Sequence, residues 1–220
     1  MIPMKAPLIE AGNLSQPNDF SNNLLDNLAS LQGTKPYIRV GGNTQDKTTY
    51  QHGLETGIES VYDPEVSKDY PASSRIGPAF FESYHTFPDS KFIHGFNWGH
   101  AGNSTEGWEN VLESAKAACQ GIGADRLWAW EYGNEADTYG EWWGYRNNAT
   151  WTEEALATEW LDHIPKVKAE MAKACPDLAD GDRYGFIVPS YTPIEYLDPV
   201  LTWQAGLNKS PDVRAFSQHK

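Results

Sequence analysis

The chain has 220 residues, 40% of them hydrophobic and 21% charged, and carries a formal net charge of −13 from 17 Lys and Arg against 30 Asp and Glu. This is a globular composition that excludes disorder as the main state, and its scattered basic residues in an acidic chain suit neither nucleic acid nor an anionic lipid surface. The length matches one domain or part of one, and no stretch reaches the roughly 18 uninterrupted apolar residues of a membrane-spanning helix.

The first helical period is Phe20, Leu24, Leu28 and Leu31, closed by Gly33, which predicts a helix over 19–32. "YIRVGG", 37–42, follows as a short β-rich run after Pro36, cut off by two glycines, and reads as a buried strand. A long connection with turn-rich "YDPEVSKDYPASS" leads to a helix candidate over 77–87 and then to a second strand, "KFIHGFNWG", 91–99. Trp108, Val111, Leu112, Ala115 and Cys119 repeat at helical spacing until Gly121 and Gly123, and the strand "RLWAWEYG", 126–133, comes next.

The strongest helix begins near Thr152, with Glu153 and Glu154 at the positive end of its dipole and Lys166, Lys168 and Lys173 toward the other. Its stripe is Leu156, Trp160, Ile164, Val167 and Met171, and Pro165 should remove a hydrogen bond and kink it. "RYGFIVPS", 183–190, is a fourth strand, 194–207 a further helix, and "VRAFSQH", 213–219, the last strand. Alternation of buried strands and helices implies a parallel α/β sheet with right-handed crossovers, either an open doubly wound sheet or a (β/α)8 barrel. No GxGxxG or GxxxxGK[ST] follows any strand, which weakens the nucleotide-binding version, and no cofactor is expected.

Cys119 and Cys175 allow one disulfide, a pair of buried thiols or nothing in common, and buried free thiols are the expectation because free Cys is a small, readily buried apolar side chain. Asn13, Asn103, Asn148 and Asn208 open Asn-x-Ser/Thr sequons, which matter only in a secretory pathway. The N-terminal residues contain no apolar run of signal-peptide length, so a leader, if one exists, lies outside this sequence.

In parallel α/β folds the ligand sits beyond the carboxyl ends of the strands. The residues there are Gly41, Gly42, Asn43 and Asp46; Asn97, Trp98 and His100; Asn134 and Glu135; Ser190 and Tyr191; and Gln218 and His219. Amides and carboxylates that pair hydroxyls, with nine Trp and 11 Tyr in the chain and Trp128, Trp130, Trp142, Trp143 and Trp151 around the third strand, suit a sugar site, although aromatics also fill barrel cores. A carboxyl group at Glu135, walled by Trp and Tyr, would be desolvated and so hold a proton as a general acid, while Asn134 could bond a substrate hydroxyl. The same two residues could also simply begin a loop or cap a helix.

"RVGGNTQD", "WEYGNEADTY" and "FSQH", together with "AGNLSQPNDFSNNLLDNLA", resemble the fungal members of glycoside hydrolase family 79, β-glucuronidases and heparanase relatives, over nearly the whole chain. The resemblance implies a (β/α)8 catalytic barrel of which about strands two to six are present, retaining cleavage of O-glycosidic bonds in a carbohydrate substrate, and extracellular localisation. It implies Glu135 as acid/base, Asn134 as the contact of the sugar 2-hydroxyl, Asp46 as a substrate-binding carboxylate with Asn43 beside it, and His219 as a neighbour of the site; Asn97 is expected to bind substrate from its position after the second strand. Ala136 stands where the family commonly has proline, which bears on loop rigidity more than on proton transfer. Retention needs a second carboxylate about 5 to 5.5 Å away. The resemblance places that nucleophile on a seventh strand beyond Lys220, with a β-sandwich after it, so 1–220 is expected to be a partial catalytic domain inactive by itself. Glu131 and Glu195 are the alternatives within the chain. Two other functions fit the residues less well: a non-catalytic carbohydrate-binding protein, and a metal-dependent hydrolase, for which His94 and His100 have no ligand spacing.

Overall fold

The structure, a computed structural model, describes residues 2–3 and 179 in backbone only and residues 11–178, 184–193 and 196–219 in full. Its main sheet has six strands: β1 (Ile2–Pro3), β2 (Ile38–Gly41), β3 (Phe92–Phe96), β4 (Leu127–Tyr132), β5 (Phe186–Tyr191) and β6 (Val213–Gln218). Every pairing is parallel, and strand order in space follows order in the chain with no reversal. A doubly wound sheet reverses at a switch point, so that alternative is excluded for these six strands. The sheet starts one strand earlier than the sequence suggests, because a two-residue strand is too short to show a period.

The connecting helices are α1 (Asp19–Gln32), α2 (Thr105–Ile122), α3 (Glu153–Ala174) and α4 (Pro199–Gln204). Their starts follow from local chemistry: Asn18, Ser104, Thr152 and Asp198 each cap a helix by accepting backbone N–H groups through the side chain. The core lies between strands and helices, where Phe92, Leu127 and Phe186 meet Val111, Ile122, Trp160, Ile164 and Met171. Each such fully buried aliphatic or Phe side chain contributes about 1.5–3 kcal/mol. α3 continues through Pro165 as a single element.

Four expectations need correction. α1 falls on the predicted residues but fully buries none of them, and Phe20 and Leu31 are 72% and 86% exposed, so its apolar stripe is left largely in solvent. The segment after Gly77 is a 3-10 helix, Pro78–His85, entered through the Phe80 N–H, which donates at 3.0 Å to the Gly77 carbonyl three residues back, the short turn that a 3-10 helix makes. The helix expected over 194–207 shrinks to α4, since Pro199 has no N–H and belongs in the first helical turn; Ile194 and Glu195 lie outside the described residues. Finally, Cys119 and Cys175 form a disulfide. α2 and α3 pack side by side and bring the two Cα atoms to 6.1 Å, within bridging range, across a sequence separation of 56 that hides the pairing.

The long connection after β2 holds an unpredicted three-stranded sheet of Thr48–Tyr50, Ser73–Ile76 and Ile58–Val61, with Ser73–Ile76 in the middle. It carries residues 62–72 toward the carboxyl ends of the main strands.

Candidate active site

The strand ends are tied together from beneath by Asp46. One of its oxygens accepts the N–H groups of Trp98 and Gly99, at 2.8 and 2.9 Å, and the other accepts the Asn134 N–H at 2.9 Å and the Tyr139 hydroxyl at 2.6 Å. The loops after β2, β3 and β4 therefore converge on one buried carboxyl group. Burial pushes it up from the ordinary 3.8 to about 6, against the downward pull of its four donors. Asn97 is also taken up inside the fold, capping the Trp98–Ala101 helix through the His100 N–H and donating to the Thr48 carbonyl. Both residues were expected to bind substrate; in the structure their side chains are engaged within the fold, and of their partners only Asn134 lines the cleft.

That cleft, about 320 Å³, brings Asn43, Asn134, Glu135 and His219 together from the ends of β2, β4 and β6. The apolar run of β4 ends at Gly133 because φ there is +78° and a Cβ would stand 2.5 Å from the Tyr139 hydroxyl oxygen. Glu135, two residues on, is itself left-handed at φ 52°, ψ 48°, a conformation that costs a non-glycine residue about 1–2 kcal/mol. Its N–H donates at 2.9 Å to the carbonyl of Ser190, which has φ 55° at the adjacent strand end. Two strained residues on neighbouring strands thus brace one another where the cleft opens.

The Glu135 side chain is one-fifth exposed, and its Oε1 accepts His219 Nδ1 at 2.7 Å. Asn134 Nδ2 donates to Asn43 Oδ1 at 2.9 Å, while its Oδ1 accepts from Arg39 at 2.8 Å. Arg39 pairs at 2.7 Å with buried Glu131, whose other oxygen accepts the Ser190 hydroxyl. Arg39 and Glu131 are therefore an internal ion pair beneath the site. No Trp lines the cleft: Trp130 and Trp151 are buried, and the walls beyond the amides are Tyr70 and Asp69. Those two come from the turn-rich segment 62–72, whose sequence carries no signal that it folds back to this point. His94 lies in the aromatic core with its Nδ1 2.6 Å from the Tyr84 hydroxyl, and burial lowers it to about 3, so it stays neutral.

Sequential parallel strands that gather a carboxylate, an imidazole and two amides at their carboxyl ends define a β/α protein with a cleft equipped for proton transfer next to hydroxyl-binding groups. Known proteins make that class more particular. No family model matches the chain. It is 44% identical over 211 residues to a β-glucuronidase of Neurospora crassa and 47% identical over 211 residues to a β-glucuronidase of Aspergillus niger, matches that take in 95% of this chain and 38% of each relative. The chain thus spans well under half the length of these curated relatives. In three dimensions it is similar, with a TM-score of 0.70 at 22% identity over 99% of this chain and 43% of the other, to a 4-O-α-L-rhamnosyl-β-D-glucuronidase of Fusarium oxysporum 12S solved with Rha-GlcA.

Proposed function

We propose that this chain builds six consecutive strands of a (β/α)8 barrel and carries the acid/base half of a retaining exo-β-glucuronidase site of the family 79 type. The observation that carries the reading is the meeting of three separated motifs, "GGN", "GNE" and "QH", in one cleft around Glu135. The glucuronidase relatives at 44% and 47% identity support the substrate class, and the sequential strand order supports the barrel.

In this mechanism Glu135 donates its proton to the glycosidic oxygen as the bond from that oxygen to the anomeric carbon breaks. A second carboxylate attacks the anomeric carbon to form a glycosyl ester, and deprotonated Glu135 then takes a proton from the water that releases the sugar. His219 engages Oε1 and leaves Oε2 to carry the proton. Asn134, held by Arg39 and Asn43, meets the 2-hydroxyl. Of the described carboxylates near Glu135, Asp46 and Glu131 are bonded within the fold, and Asp69 lies on the cleft wall. The protein is exported, a reading that the Cys119–Cys175 bridge supports.

Fusing the chain in frame to the remaining residues of the A. niger relative should give hydrolysis of nitrophenyl β-D-glucuronide. Glu135→Gln should slow hydrolysis of alkyl glucuronides about 10²–10⁴-fold, and the nitrophenyl substrate, whose leaving group needs no proton, much less. Equal rates for Glu135→Gln and the parent fusion on alkyl glucuronides would refute the assignment. The unfused chain should be inactive; if it turns over substrate, loss of that turnover in Asp69→Asn would put the second carboxylate within it.

A further inference from the structure

The loop that carries Glu135 runs directly into a pair of indoles. Trp142 and Trp143 both donate their backbone N–H to the Thr138 carbonyl, at 2.9 and 3.1 Å, and Thr138 N–H in turn donates to the Glu135 carbonyl at 2.9 Å. The rings lie nearly parallel, 17° apart with centroids at 6.2 Å, and Tyr196 stands edge-on to Trp142 at 6.4 Å. Trp142 is 62% exposed although its backbone is pinned, so an indole is presented to solvent in a set position.

Lys47 joins this pair to the cleft. Its ammonium is 4.7 Å from the ring centroid of Tyr70, which lines the Glu135 cleft, and 4.6 Å from that of Trp143. It makes no ion pair among the described residues, and partial burial lowers its pKa. A cation held between two rings beside a cleft favours an anionic ligand there against the overall field of a chain of net charge −13.

We propose that Trp142 and Trp143, with Lys47 between them and the cleft, form a second sugar subsite on the leaving-group side, stacking the pyranose to which the terminal uronic acid is linked. This rests on the reading of the Glu135 cleft as a glucuronide site. In that reading Glu135 protonates the oxygen between the two sugars, so the loop leading away from it faces the leaving sugar. The indoles offer flat apolar faces to the C–H face of that ring, and Lys47 sits where the uronate and its neighbour join. The preferred ligand is then an acidic oligosaccharide rather than a glucuronide of a small aglycone.

Titration of the intact chain and of Trp142→Ala with glucuronic acid, cellobiouronic acid and cellobiose, followed by calorimetry and tryptophan fluorescence, tests this. The wild type should bind cellobiouronic acid about 2–10-fold more tightly than glucuronic acid, the range expected for one stacked ring, and Trp142→Ala should bring that ratio to about one. A ratio unchanged by Trp142→Ala overturns the subsite while leaving the cleft assignment intact. If neither acid binds, the acid/base half of the site holds no uronate by itself, and cellobiose decides the platform: fluorescence quenching that Trp142→Ala abolishes supports it, and no quenching in the wild type overturns it.

Discussion

At the scale of single residues, the group with the largest structural responsibility is Asp46, a carboxyl that is 4% exposed and joins three strand-end loops. Because burial raises it to about 6, the folded state keeps this proton at pH values where the unfolded chain, near 3.8, has released it. Folding therefore takes up a proton in that window, and the contribution to stability falls as pH rises from about 4 to about 6, by at most about 3 kcal/mol. The difference in urea unfolding free energy between wild type and Asp46→Asn should shrink over that interval. A difference that grows with pH would mean the four donors keep the carboxylate ionised in the fold. The position of Asp46 after a strand was visible in the sequence. Its burial was not, since that depends on Trp98, Asn134 and Tyr139 arriving from segments 52 to 93 residues away.

Among the elements, α2 and α3 show how much period and capping can reveal. Their stripes, the start of α3 near Thr152 and the glycine stop after α2 are legible, because each is a local interaction within one or two turns. The bridge between them is not local. Closing a loop with a separation of 56 residues restricts the unfolded chain by about 4 kcal/mol in the entropy model, and Cys119→Ala with Cys175→Ala should lower the unfolding free energy by about 2–4 kcal/mol. Chemical denaturation of oxidised wild type against the double variant measures it, and an unchanged midpoint would remove the bridge from the stability account. Shorter elements failed the same reading for a definite reason. β1 and the strands of the 48–76 sheet have two to four residues, so they contain no complete repeat to detect.

For the molecule as a whole, the outstanding feature is surface that looks built to be covered. α1 exposes Phe20, Leu24, Leu28 and Leu31, and α4 exposes Val200, Leu201 and Trp203. β1 and β6 are the outermost strands of the main sheet, with no further strand beside them among the described residues. Unpaired edges and contiguous apolar patches promote self-association. Sedimentation of the chain should show association that grows with concentration, and Phe20→Ser with Leu31→Ser should reduce it while changing stability by under about 0.5 kcal/mol, since neither side chain is buried. A monodisperse monomer at all concentrations would show that these faces are tolerated in water.

The amino-acid order by itself determined the alternation of strand and helix, the bounds of α1, the end of α2, the start of α3 and the residues that follow each strand, because hydrophobic period, helix-end charges and glycine stops act over a few residues. It also placed Asn134 and Glu135 at the end of β4. Only the tertiary structure decided which strand-end polar groups face the cleft, Asn43, Asn134, Glu135 and His219, and which are enclosed, Asp46 and Asn97. That choice turns on hydrogen-bond partners and on the return of Asp69 and Tyr70 to the cleft wall. Proximity between residues distant in sequence is set by packing, which no local pattern encodes.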